Sequence, residues 1–371
     1  MHFVVTANTS FNIVNYRSGL IKRLIDQGHD VTVVAPADTY TEEIHGLGCD
    51  FQPLNMSQKG ENPIAESVVI FRCWRALKVL KPDAVISFTA KNNLYMGIAA
   101  RLCGINSLPT ITGLGLAFQG GKLRLALVKL LYRVALKRAV NVFFQNPSDK
   151  ETFLSSKLAS QNQSVIVSGS GVNPDQYAFT PLPAETQNIT FLMVTRLLGQ
   201  KGVKEYCEAA TSIRKNHSGV DFLLAGPFDH DSHDSISEHQ LERMLSNSPV
   251  QYLGYKTDIR STIAQSHVMI LPSYYNEGTP RVLLEAGAMG CPLITTDWPG
   301  CRDTVSQNKS GLLIPPRCAK SLSLAMEKFL NMPPRELQQW GNESHALITS
   351  KFTEAQVVEA YIQALTEPSD V

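Results

Sequence analysis

Short apolar runs alternate with helix-patterned stretches along most of this chain, and the alternation comes in two series. In the first, residues 3–7, 31–35, 83–88, 108–112, 141–145 and 165–168 read as strands. Helical patterns lie between them, at 14–27, where Gly28 stops the helix, and around 95–103. The second series has strands at 189–194, 220–225, 250–253, 268–271, 292–295 and 312–314, with helices at 203–215 and 236–245. The tail from Lys320 is mostly helical, with Pro333-Pro334 as a break. Strands this short and this continuously apolar are buried on both faces, and strands separated by helices run parallel. Residues 173–188 hold three prolines and no clear period, so the linker is placed there.

The expected architecture is α/β: two Rossmann-like, doubly wound parallel-sheet domains facing a cleft. The domains are read as 1–172 and 189–352. A length of 371 residues and 43% hydrophobic content suit two buried cores. Lys plus Arg number 34 against 33 for Asp plus Glu, so no global charge points to nucleic acid, and no nucleic-acid partner is expected. The seven cysteines are odd in number, scattered and without a C-x-x-C pair, which reads as reduced thiols in a cytosolic protein. Residues 1–7 read as a first strand and not as a signal peptide, and no uncharged run approaches a membrane span.

In open parallel sheets, ligands sit beyond the carboxyl ends of the strands. One such segment is Asn276-Glu277-Gly278-Thr279-Pro280-Arg281-Val282-Leu283-Leu284-Glu285-Ala286. Thr279 suits a helix N-cap, Pro280 the first helical position, and Gly290 a stop after Met289. Glu277 then lies in the loop and Glu285 inside the helix, with roughly 7.5 Å of rise from Pro280 to Glu285. Exposed helical N–H groups between two carboxylates make a site for an anion flanked by hydroxyls. A nucleoside diphosphate sugar has that chemistry. Gly278, Thr279, Pro280, Arg281 and Val282 would line it, and Tyr255, after another strand, could meet a nucleobase. Arg196 and Lys201 follow the strand at 189–194, where a planar fork and a compact ammonium can grip two phosphates. Charge grows on such a diphosphate as it leaves, so cations held there act in the transition state.

These motifs resemble the family-four retaining glycosyltransferases of the GT-B fold. The resemblance rests on the E-G-x-P-x-V-x-L-E-A core, the upstream Arg196 and Lys201-Gly202, and the downstream segments Asp297-Trp298-Pro299-Gly300-Cys301-Arg302-Asp303 and Ser310-Gly311-Leu312-Leu313-Ile314-Pro315. It implies that Arg196 and Lys201 bind the diphosphate, that Glu277 approaches the transferred sugar and that Glu285 approaches the ribose. It also implies retention of anomeric configuration without a metal or cofactor beyond the UDP-sugar co-substrate. Two positions depart from the family: Asp303 stands where many members carry Glu, and Thr195 where many carry Gly.

On the acceptor side, Asn8, Thr9 and Ser10 follow the first strand, where many relatives have a glycine pair. Lys91 follows the strand at 83–88, and Thr112, Gly113 and Gly115 follow the strand at 108–112, with glycines that let backbone approach a ligand. These segments resemble the subgroup that extends polyprenyl-diphosphate-linked sugars in bacterial surface polysaccharide or glycan assembly. In that reading the first domain binds the acceptor, the second binds the nucleotide sugar, and residues 353–371 form a helix returning to the first domain. In residues 122–139, Lys122, Lys129, Arg133 and Lys137 fall on one helical face, with Leu123, Leu127, Leu130, Leu131 and Val134 as apolar surface and no acid between. This reads as a helix at anionic headgroups, near a lipid diphosphate. The protein is therefore expected to be cytoplasmic and peripheral at the inner face of the membrane. The run Asp229-His230-Asp231-Ser232-His233-Asp234 reads as a solvated loop and not as a metal site. Two alternatives stay open: a UDP-sugar epimerase of the same fold, and a nucleotide-sugar-binding subunit without turnover.

Overall fold

The computed structural model describes residues 1–56, 63–118, 121–183, 188–230 and 232–366. They fall into two compact units. The first comprises the described residues within 1–171, 276–279 and 354–366, and the second those within 172–275 and 280–353. The proline-rich residues 173–183 therefore pack within the second unit: Tyr177 joins its core, and Thr180 N–H donates to Met289 O.

The first unit runs β1 (His2–Thr6), α1 (Ser10–Asp26), β2 (Asp30–Ala35), α2 (Thr41–His45), β3 (Asp50–Pro53), α3 (Pro63–Leu80), β4 (Ala84–Phe88), α4 (Ala90–Cys103), β5 (Asn106–Ile111), α5 (Lys122–Ala135), β6 (Val142–Phe144), α6 (Pro147–Ser155) and β7 (Ser164–Ile166). The strands form one parallel sheet in the order β3-β2-β1-β4-β5-β6-β7. Successive strand residues point to opposite faces, and the cores divide accordingly. Phe3, Val5, Ile86 and Phe88 join the core beneath α1, while Val4 and Val85 join the core beneath α3, α4 and α5. The C-terminal helix, residues Glu354–Thr366, completes the first of these cores with Val357, Val358, Tyr361 and Ile362. The Tyr361 hydroxyl shares a 2.7 Å hydrogen bond with Thr110 Oγ1, which satisfies both buried groups.

The second unit runs β8 (Ile189–Val194), α7 (Val203–Arg214), β9 (Val220–Ala225), α8 (Glu238–Leu245), β10 (Val250–Tyr252), α9 (Arg260–Ala264), β11 (Val268–Leu271), α10 (Arg281–Ala288), β12 (Leu293–Thr296), β13 (Gly311–Ile314), α11 (Ala319–Leu330) and α12 (Pro334–Lys351). Its parallel sheet has the order β10-β9-β8-β11-β12-β13. α8 starts with a full capping box between Ser237 and Gln240, so it begins at Glu238 and not at Ile236. α10 lies against α12, and Gly287 is the position that allows it: a Cβ there would stand 2.6 Å from Ile348 Cγ1. All seven cysteines are free thiols.

Candidate active site

In the second unit the strand order reverses between β8 and β11, the place where a doubly wound sheet opens a crevice. Two residues past β8, Arg196 Nη1 donates to Asp229 Oδ2 at 2.7 Å. The arginine is 48% exposed and its partner only 14%, so Asp229 anchors the fork while part of it faces outward. A single 3-10 turn follows, Gly199–Lys201. Asp234 fixes it: Gly199 N–H donates to Asp234 O at 2.9 Å, and Gln200 N–H to Asp234 Oδ2 at 2.7 Å. Lys201 is 6% exposed, with Nζ 5.5 Å from the ring centroid of Tyr275. It does not open α7. Gly202 intervenes in the left-handed region at φ +84°, where a Cβ would meet Pro272 O at 2.5 Å, and α7 starts one residue later. The run that reads from sequence as a solvated loop thus supplies two of the acids that shape the cation-bearing loop. Asp231 lies outside the described residues. Among the described residues no group of three or more His, Cys, Asp or Glu is placed to hold a metal ion.

Past β11 comes α10. Pro280 is its N-cap, not its first helical residue, and no side chain caps the helix. The reason is the orientation of Thr279, whose hydroxyl donates to Gln145 O at 3.1 Å instead of accepting from the first turn. The amide end of α10 thus carries no side-chain cap. Met289 and Gly290 end the helix as expected, Gly290 at φ +88°. Glu285 sits with Arg281 on one side of the helix, Arg281 Nε donating to Glu285 Oε1 at 2.9 Å, and the glutamate side chain is 14% exposed and the arginine side chain 15%. Tyr177 lies against the same carboxylate. Burial first, and the Glu285 charge second, push its hydroxyl well above the usual phenol range. Two donors do not exhaust a carboxylate, which accepts about four hydrogen bonds. Val282 is half-buried beside them, and Tyr255 is exposed after β10.

Glu277 and Gly278 belong by their packing to the first unit. Gly278 N–H donates to Thr112 O at 2.9 Å, and Gly115 N–H donates to Asn276 O at 2.7 Å. Gly113, at φ +112°, would place a Cβ 2.5 Å from Glu277 Cα, and a Cβ on Gly278 would overlap Gln145 Oε1 at 1.9 Å. The close backbone approach that Gly113 allows is therefore to the strip carrying Glu277. The expected acceptor loop and the expected sugar-positioning loop are one hydrogen-bonded structure.

The first sheet reverses between β1 and β4. Of the three residues past β1, Asn8 is half-buried, Thr9 caps α1 by accepting from Asn12 N–H at 3.1 Å, and Ser10 is fully buried, donating to Pro36 O at 2.6 Å. Thr9 and Ser10 thus spend hydroxyl capacity on the turn itself. Past β4, Thr89 adopts φ +71°, ψ +145°, a region that costs a non-glycine residue about 1–3 kcal/mol. Thr89 Oγ1, Asn92 Nδ2 and Asn93 Oδ1 are buried without a protein partner. The strain and the orphaned polar atoms sit at the switch point of the first sheet, where doubly wound sheets receive ligands. Sequence reading missed Thr89, and a β-branched residue before a helix gave no signal of it. Lys91 is half-buried and ion-paired to Glu66 Oε1 at 2.9 Å, and the Tyr95 hydroxyl donates to the same carboxylate. α4 starts at Ala90, earlier than expected, so Lys91 rides on a helix.

α5 splits its apolar residues between two faces. Tyr132 and Ala135 are buried in the core beneath α4. Leu123, Leu127 and Leu130 face outward, 87%, 56% and 53% exposed, with Lys122 and Arg133 exposed and Lys129 half-buried along the same helix. Lys137 follows, exposed, in the 3-10 turn Leu136–Arg138. α3, packed in the same helical layer, adds exposed Val68, Phe71 and Val79 beside exposed Arg72 and Arg75. Among the described residues no helix is long and apolar enough to cross a membrane.

Comparison with known proteins agrees with this geometry. Residues 177–346 match the family described as Glycosyl transferases group 1, and residues 13–169 the Glycosyl transferase 4-like domain. The chain is 30% identical over 330 residues to the N,N'-diacetylbacillosaminyl-diphospho-undecaprenol alpha-1,3-N-acetylgalactosaminyltransferase of Campylobacter jejuni, covering 84% of this chain and 85% of that protein. It is 28% identical over 254 residues to an Escherichia coli UDP-Gal:alpha-D-GlcNAc-diphosphoundecaprenol alpha-1,3-galactosyltransferase, covering 65% and 64%. Among solved structures, HepE of Anabaena in complex with UDP and glucose superposes with a TM-score of 0.80 at 14% identity, over 98% of this chain and 99% of that one. A glycosyltransferase from Rickettsia africae gives 0.77 at 17% identity, over 98% and 97%. The chain is a group 1 glycosyltransferase with the GT-B fold.

Proposed function

We propose that the protein moves a hexose or N-acetylhexosamine, with retention, from a UDP-sugar to a polyprenyl-diphosphate-linked saccharide in bacterial surface polysaccharide or glycan assembly. The observation that carries the donor half is the arrangement at the β8/β11 switch point. A tethered Arg196, a nearly buried Lys201 and the uncapped amide end of α10 follow the two strands that flank it. Each favours negative charge, and together they suit a departing diphosphate. Glu277 positions hydroxyls of the transferred sugar, Glu285 anchors the ribose, and Tyr255 covers the base. The acceptor half draws on the names of the two relatives above, both of which act on undecaprenol-linked diphosphosugars. Asn8, Thr89, Lys91 and the loop of Thr112, Gly113 and Gly115 receive the acceptor.

The α5 face supports a peripheral site of action at the inner face of an anionic membrane. Three exposed leucines flanked by cations match an interfacial helix, in which apolar burial and headgroup attraction add. Full burial of a leucine side chain is worth about 1.5–3 kcal/mol, so even partial insertion of the row is a usable anchor.

The test is a screen of UDP-sugars against short-chain polyprenyl-diphosphate saccharides, with product mass and anomeric NMR. Glu277→Ala should abolish transfer while keeping some UDP affinity, and Lys201→Ala should lose both. Unchanged turnover in either variant counts against the assignment. Conversion of the UDP-sugar with no acceptor present would indicate an epimerase instead.

A further inference from the structure

The end of α5 borders a cavity that the transfer reaction does not use. It measures about 510 Å³ and lies between the end of α5, the end of α6 and the segment that leads from α6 into β7. Its walls carry Arg133, Lys137 and Lys157 and no acidic residue. Leu136, Leu154 and Leu158 supply apolar wall. The Arg133 guanidinium is steadied by Ser156 O at 3.4 Å.

Cations at helix ends have a simpler use, the neutralisation of helix dipoles. Here two helices end at the cavity, and each end carries roughly half a negative charge. Three cations exceed that by about two charges. Lys157 is also held at φ +54°, at the position after the α6 C-cap that glycine normally takes. Arg133 lies three residues past Leu130, less than one turn along α5 from the exposed leucine row.

We propose that this cavity is a binding site for the headgroup of an anionic phospholipid. The phosphate sits among Arg133, Lys137 and Lys157, the glycerol backbone lies on the leucine wall, and the acyl chains run into the bilayer beside Leu127 and Leu130. The proposal deepens the membrane reading given above and rests on it. An apolar row beside a concave cation cluster selects a molecule that is anionic at one end and apolar at the other.

The test uses the full chain and monomeric dihexanoylphosphatidylglycerol, followed by calorimetry, with UDP affinity measured on the same samples. Wild type should bind this lipid saturably, one per chain, and bind dihexanoylphosphatidylcholine at least about tenfold more weakly, since each cation near an anionic group contributes about fivefold. R133Q/K157Q should lose the phosphatidylglycerol site. K122Q/K129Q, with the same charge removed from the same surface outside the cavity, should keep it. Three outcomes overturn the proposal: no saturable binding by wild type, equal loss in both double variants, or inorganic phosphate binding as tightly as the lipid. Wild type that binds the lipid but shows no UDP binding would sink the nucleotide-sugar reading alone.

Discussion

A Cβ built on Gly113 would stand 2.5 Å from the Cα of Glu277, closer than side chains approach. The two residues come from loops more than 160 positions apart, and backbone hydrogen bonds on either side, from Gly278 to Thr112 and from Gly115 to Asn276, hold them together. Glu277 is thus placed by the loop after β5 as well as by its own chain.

Gly113→Ala should therefore displace Glu277. At φ +112° alanine is strained by about 1–3 kcal/mol, and its methyl group has only backbone to push against. Turnover should fall by about tenfold or more, while UDP affinity, which the proposed function assigns to Arg196, Lys201 and Glu285, falls far less. Equal losses in turnover and in UDP affinity would show that the contact merely supports the fold.

Asp229 offers a second test. It holds Arg196 at 2.7 Å and is itself mostly buried. Asp229→Ala frees the guanidinium to move, and kcat/KM should drop by about tenfold, less than the roughly hundredfold expected of Arg196→Ala. Asp229→Asn, which can still accept from the fork, should recover part of the loss. A variant indistinguishable from wild type would mean that Arg196 needs no tether.

How far the sequence alone led can be read from these same residues. Alternation of apolar runs placed the strands within one or two residues, because strands buried on both faces leave an unbroken apolar signature. The short edge strand Asp50–Pro53 escaped, since an exposed edge carries no such signature. Glu277, Glu285, Arg196 and Lys201 stand out in the sequence as charged residues that follow apolar runs, and the fold places Arg196 and Lys201 after β8, and Glu277 and Glu285 after β11. Their immediate partners do not stand out. Asp229 and Asp234 look like any polar loop until the fold brings them to the next strand's exit, and Glu66 lies 25 positions from the lysine it holds. Thr279 shows the opposite failure. Its local pattern is that of an N-cap, but tertiary structure offered its hydroxyl a carbonyl from another element.

Glu66 leads to a third prediction. Its carboxylate accepts from both Lys91 Nζ and the Tyr95 hydroxyl, so it fixes where the ammonium points. Glu66→Gln removes the charge but keeps the shape. Lys91 should then sample more rotamers, raising KM for the proposed lipid-linked acceptor by about three- to tenfold with KM for the proposed UDP-sugar unchanged. A rise confined to the donor KM would place Lys91 outside the acceptor site.

Asp149 makes the stability of the first unit depend on pH. Asp149 sits in the first turn of α6, buried against Tyr132, and burial lifts its carboxyl from 3.8 to about 6 despite a hydrogen bond from Asn146. The folded chain therefore holds this proton more tightly than the unfolded chain does. The stabilising contribution is complete below about pH 4, is lost as pH rises towards 6, and stays lost above that. The displacement amounts to about 3 kcal/mol. Asp149→Asn retains the backbone N–H that caps onto Asn146 and an oxygen for its amide, but cannot ionise. Wild type should lose stability relative to this variant between pH 4 and pH 6, by an amount approaching that figure, and the two should run parallel above pH 7. Chemical denaturation midpoints measured at four or five pH values in that range decide it. Parallel curves throughout would mean that the carboxyl titrates near its ordinary value, and that solvent reaches it in spite of the packing around α6.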